Sequence, residues 1–118
     1  MTWIQTRSAK RFPLTGEIDP ALIDIADIAE HLAKINRFVG ATRKPYSVAQ
    51  HSVLVSIMVP KEYALEGLMH DAAEAYLGDV SRPLKTLLGD AYKDIEQRVE
   101  RAIAVRYGLR YPWPACIH

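Results

Sequence analysis

The chain has 118 residues, 49% hydrophobic and 25% charged, with a formal net charge of +1. That is the size and composition of one compact domain with a core, and it excludes a disordered chain. It also excludes a global basic field of the kind that recruits duplex nucleic acid. A single cysteine, Cys116, leaves no internal disulfide framework. No apolar run approaches the roughly 20 residues of a membrane helix, and the start "MTWIQTRSAKRF" lacks the apolar core of a secretory signal. A cytoplasmic protein with no nucleic-acid or membrane partner is the expectation.

In chain order, "TWIQTRSAKRFPLTGEIDP" is poor in helix signals, and its pattern predicts two short extended pieces, around residues 3–6 and 10–14, joined by a turn. Helical periodicity begins at "DIADIAEHLAKINRF", where Ile28, Leu32 and Ile35 recur at helical spacing and Asp24 or Asp27 is placed to cap. "GATRKPY" interrupts it. Ser47 then opens "SVAQHSVLVSIM", which Pro60 closes, and "EYALEGLMHDAAEAYLG" reads as one further helix ending at Gly78. Ser81 and Pro83 start a short helix in "VSRPLKTLLG". The last is "DAYKDIEQRVERAIAVRYG", with a stripe of Ile95, Val99, Ala102 and Ile103 and a stop at Gly108. The expected fold class is all-α, a single helical bundle over residues 1–118 with a small N-terminal β-hairpin.

Chemistry concentrates in "GLMHDAAEAYLGDV". On a helix Glu74 shares a face with both His70 and Asp71, which themselves point about 100° apart. Imidazole beside carboxylate suits a first-row divalent metal. His51 lies in the middle of the preceding helix, and an antiparallel neighbour would place it opposite His70 and Asp71. Each residue also has a plain reading: His51 as a hydrogen-bonded core histidine, Glu74 as a surface acid, Asp79 as an N-cap and His31 as a surface helix residue. The combination of a histidine, a His-Asp pair on the next helix and an acid at the right offset favours a site.

The array "YSVAQHSVLVS … LEGLMHDAAEAYLGDVSRPLK" resembles the HD-domain metal-dependent phosphohydrolases, within them the bacterial and phage branch of 5′-deoxynucleotidases. The similarity covers about residues 24–108. It implies an HD-domain helical bundle binding one divalent metal ion (Mn, Co, Zn, Fe or Mg) through His51, His70 and Asp71. Glu74 matches the acid that orients or deprotonates the attacking water, and Asp79 a further acid of the pocket. "NRF" matches an arginine and aromatic pair at the substrate, giving Arg37 to the phosphate and Phe38 to the sugar and base, where the resembled enzymes carry tryptophan. Lys85 matches a phosphate-binding lysine. On the residues alone, Arg37 and Lys85 are equally cations placed at helix ends.

The function implied is phosphate release from deoxynucleoside 5′-monophosphates. The alternative within the family is a deoxynucleoside triphosphate triphosphohydrolase, and outside it a nucleotide- or metal-binding domain without turnover. The resemblance further implies a fourth ligand, an aspartate on a helix beyond the stretch matched. Asp90 and Asp94 belong to the preceding helix and His118 is a poorly held substitute, so the favoured expectation is a longer protein whose next segment supplies it, the alternative being water in the fourth position with reduced metal affinity and activity. A homodimer is also expected, through the apolar stripe of the last helix and the aromatic tail Tyr107, Tyr111 and Trp113.

Overall fold

A computed structural model describes residues 2–117. Strands β1 (Trp3–Gln5) and β2 (Arg11–Pro13) pair antiparallel, with Ile4 opposite Phe12. The connecting turn is closed by the Thr6 N–H donating to the Lys10 carbonyl at 2.9 Å. The expected hairpin is present, and its purpose is packing. Phe12 is fully buried and stacks on Tyr76 at 4.0 Å between ring centroids, so the hairpin roofs the helical core.

Helix α1 (Ile25–Ala33) is capped by Asp24, whose carboxylate accepts from the Ala26 N–H at 2.8 Å. Asp27, the other candidate cap, is 2% exposed and tied to the hairpin turn instead. It accepts from the Ser8 N–H at 2.9 Å and from the Ser8 hydroxyl at 2.7 Å. The helix stops at Ala33, several residues before the expected end at Phe38. The Val48 N–H donates to the Ile35 carbonyl and the Arg37 N–H to the Tyr46 carbonyl, each at 2.8 Å. These bonds commit residues 35–37 to extended pairing with the segment before the next helix. His31 is not a plain surface residue: its Nε2 accepts from the Arg7 N–H at 3.0 Å, and its Nδ1–H donates to the Ala75 carbonyl at 2.8 Å.

Helix α2 (Val48–Met58) starts at Ser47, whose hydroxyl accepts from the Gln50 N–H at 3.1 Å. The single helix expected up to Gly78 is divided into α3 (Ala64–Met69) and α4 (Glu74–Leu77). Between them the chain tightens, with N–H groups of Ala72, Glu74, Ala75 and Tyr76 each donating to the carbonyl three residues back. Helices α5 (Arg82–Leu88) and α6 (Asp90–Tyr107) follow, and α6 ends on Gly108 in the left-handed region. The α6 stripe behaves as expected: Val99 and Ile103 are fully buried, beside Ile23, Ile28, Val48 and Met69. The described residues are thus predominantly helical, with one two-stranded sheet. No helix among them is long and apolar enough to cross a membrane.

The aromatic tail folds back on its own chain. Trp113 Nε1–H and the Tyr111 hydroxyl both donate to Glu100 at 3.0 Å, and Trp113 is buried. It therefore does not offer the apolar surface on which self-association was expected. Exposed apolar side chains lie on α2, at Val53, Leu54, Ile57 and Met58, on α5, at Leu84, Leu87 and Leu88, and at Val105 of α6.

Asp27→Ala removes the acceptor of two hairpin-turn donors from a buried position. Unfolding in urea should show a loss of about 1–3 kcal/mol; a loss below about 0.5 kcal/mol would mean that Ser8 is satisfied by solvent.

Candidate metal centre

Helices α2 and α3 pack side by side, and Gly67 sets how closely. A Cβ at Gly67 would stand 3.0 Å from Val59 Cγ2 and 3.4 Å from the Ser56 Cα, so a larger residue would wedge the pair apart. This approach brings His51 of α2 next to His70, with ring centroids 5.6 Å apart. A glycine inside a helical pattern costs up to about 1 kcal/mol against alanine. Gly67 was not singled out in the sequence, although a glycine inside a helical pattern is the signal that could have pointed to the close approach.

His51 Nε2 lies 3.4 Å and His70 Nε2 3.3 Å from Asp71 Oδ2. Among the described residues this is the one set of three His, Cys, Asp or Glu side chains whose ligand atoms converge, all within 4.8 Å. His70 Nδ1 contacts the Gly67 carbonyl at 2.7 Å. A carbonyl only accepts, so Nδ1 carries the proton and Nε2 presents a lone pair to the other two donors. Burial, with the Arg37 charge, holds the His51 imidazole below its ordinary range, against the pull of Asp71. It is neutral at pH 7. With its proton on Nδ1, His51 would also present an Nε2 lone pair, and two such lone pairs with a carboxylate oxygen at one point suit a divalent first-row metal. The structure thus brings together the three residues that the sequence put forward.

Asp71 also lines a cleft of about 910 Å³, shared with Glu74, Asp79, Arg37, Phe38 and Lys85. All five of the other expected site residues therefore face one space with it. Glu74 is 8% exposed. Burial, with the neighbouring Asp71 and Asp79 carboxylates, pushes the Glu74 carboxyl up to about 9. Asp79 faces this cluster and is not the cap of α5: Ser81 holds that position. Lys85 Nζ is paired with Glu96 Oε2 at 2.9 Å. Asp94 is engaged with Arg98 on the surface of α6, and His118 lies outside the described residues.

Arg37 and Phe38 reach the rim by a strained turn. Phe38 and Val39 have φ of 57° and 55°, followed by Gly40 at 78°. A β-branched residue there is a genuine outlier. The Arg37 guanidinium lies 4.7 Å from the Phe38 ring centroid and 5.6 Å from that of Tyr46. Val39, Arg82 and Lys93 also line the cleft and were not singled out in the sequence. Lys93 had no local signal, because only the packing of α6 against α5 brings it there.

The chain is similar to YfdR of Escherichia coli (strain K12), an uncharacterized protein, with 49% identity over 109 residues covering 92% of this chain and 60% of the relative. It is also similar to an uncharacterized protein of Rhodobacter capsulatus, with 36% identity over 124 residues covering 98% of this chain and 63% of the relative. The chain spans about three-fifths of the length of these curated relatives. No protein-family model matches the sequence.

His51→Ala should remove stoichiometric binding of a divalent ion, measured by elemental analysis after dialysis, while far-ultraviolet circular dichroism stays unchanged. Full metal retention would dissolve the triad. Glu74→Gln tests the acid cluster in chelator-treated protein. A group whose folded value stands at about 9 against about 4.5 unfolded is favourable to folding below the unfolded value. That contribution is lost as pH rises towards the folded one. The parent should therefore weaken relative to Glu74→Gln from pH 5 to pH 8, by about 1–2 kcal/mol. Parallel stability curves would place Glu74 in solvent.

Proposed function

We propose that this chain carries the metal-binding centre of an HD-domain phosphohydrolase that releases phosphate from deoxynucleoside 5′-monophosphates. The observation that supports it most is the convergence of His51 and His70 on Asp71, which lines a cleft shared with Glu74, Asp79 and Arg37. A divalent ion held by His51 Nε2, His70 Nε2 and Asp71 Oδ2 would supply Lewis acidity towards a phosphoryl oxygen and acidify bound water; Mn, Co, Zn, Fe and Mg all suit the reading.

The chain's own residues divide the remaining work. Arg37 meets the dianionic phosphate from the rim with a planar, permanently charged fork. Phe38, more than half exposed beside it, offers a ring face to the sugar and base. Glu74 takes the proton of the attacking water; burial and the Asp71 and Asp79 charges hold its carboxyl up in the metal-free protein, and a divalent ion at the triad would offset them and leave Glu74 ionised for that role. Water attacks phosphorus, the bond to the 5′ oxygen breaks, and the departing alkoxide takes a proton from solvent. The products are a deoxynucleoside and inorganic phosphate.

A second reading, triphosphate release from deoxynucleoside triphosphates, draws support from Arg82 and Lys93. Both are exposed, have no ion-pair partner among the described residues, and line the cleft with Lys85.

Protein loaded with Mn, Co or Zn should release phosphate from a panel of deoxynucleoside monophosphates. Glu74→Ala should lower kcat by about 10²–10⁴ with metal content retained. Triphosphate as the released product selects the second reading. Binding without turnover across the panel selects a nucleotide-binding domain, and a Glu74→Ala rate equal to the parent's removes Glu74 from the chemistry.

A further inference from the structure

Lys85 lines the cleft, yet its ammonium is already spent. It donates to Glu96 at 2.9 Å, with the two side chains 33% and 23% exposed, so the pair is half-sheltered rather than a loose surface contact. Behind it, Tyr92 lies four residues before Glu96 on the same face of α6, with its ring centroid 5.8 Å from Lys85 Nζ. The Tyr92 hydroxyl is enclosed and has no hydrogen-bond partner among the described residues. An enclosed phenol left unpartnered is destabilising, and such a group calls for an explanation in another state of the molecule.

On the reading that the cleft takes a nucleotide phosphate, we propose that Lys85, Glu96 and Tyr92 form a substrate-triggered exchange. Lys85 leaves Glu96 for the phosphate, and the Tyr92 hydroxyl takes its place as donor to Glu96. Losing Lys85 would otherwise strand the Glu96 carboxylate in a half-buried wall, which opposes the release. Tyr92 has the right polarity, since a phenol donates and a carboxylate only accepts. Burial and the nearby Glu96 charge raise the Tyr92 hydroxyl to about 12, which keeps the donor proton in place. Lys85 likewise keeps its charge: burial works against it, and the hydrogen bond and charge of Glu96 outweigh that. Tyr92 is thus a positioning residue that makes Lys85 available without touching substrate.

The test is a double-mutant cycle on the metal-loaded protein with deoxythymidine 5′-monophosphate as substrate and deoxythymidine as competitive ligand. Tyr92→Phe should raise the melting temperature of the substrate-free protein, because it deletes an unpartnered hydroxyl. It should also raise KM for the monophosphate about threefold to tenfold, with kcat within twofold and deoxythymidine affinity unchanged. Glu96→Gln should lower KM by holding Lys85 less firmly, and in that background Tyr92→Phe should have no further effect on KM. A lower melting temperature for Tyr92→Phe overturns the exchange, since the hydroxyl would then have a partner in the free state. Equal losses for nucleotide and nucleoside, or additive changes in the cycle, also overturn it. A parent protein that neither binds nor hydrolyses the monophosphate removes the reading of the cleft and this inference with it; a hydrolysing parent with an additive cycle removes the exchange alone.

Discussion

The contact on which the site depends is the close approach of α2 and α3 at Gly67. It sets the distance between two imidazoles carried on different helices, and the Gly67 carbonyl also fixes the tautomer of one of them. One residue therefore supplies both position and polarity. A side chain at Gly67 would press on Val59 and on the α2 backbone at Ser56. Packing density leaves little room for this to be absorbed locally, so the displacement would reach His51.

The tightened backbone between α3 and α4 is the second constraint. Bonds from each N–H to the carbonyl three residues back overwind the chain through Ala72, Glu74, Ala75 and Tyr76. The overwound stretch is held from outside the cleft, by the Phe12 ring on Tyr76 and by His31 on the Ala75 carbonyl. The hairpin and α1 thus brace the segment that carries the acids, although neither contributes a residue to the candidate triad.

The triad and its acids were legible in the sequence because they lie in two local patterns, one inside α2 and one running from α3 through the tight turn and α4. Ser47, Pro60, Gly78 and Gly108 mark ends where the structure has them. What sequence could not show is long-range. The end of α1 at Ala33 is decided by pairing with residues 46–48, against a hydrophobic period that continues to Ile35. His31 looks like a surface residue until the hairpin and Ala75 meet on its ring. Tyr111 and Trp113 look like an exposed tail until Glu100, many residues earlier, accepts from both. Lys85 lines the cleft, but its partner Glu96 is visible only once α5 folds against α6.

The turn at Phe38 and Val39 shows what the rim costs the fold. Left-handed backbone at two successive non-glycine residues is disfavoured by roughly 1 kcal/mol or more apiece. Neither side chain recovers that by burial, since Phe38 is 57% and Val39 80% exposed. The conformation is imposed from its two ends, by the Arg37–Tyr46 backbone bond before it and the Gly40 N–H donating to the Arg37 carbonyl at 3.0 Å after it. What the turn achieves is the placement of Arg37 between two aromatic rings, with its charge within electrostatic reach of His51. That charge adds to burial in lowering the His51 imidazole, which favours the neutral form that ligates a metal, while the same guanidinium faces the cleft. Strain kept at an exposed rim, where relaxation meets no packing obstacle, points to a requirement on the position of Arg37 rather than to stability.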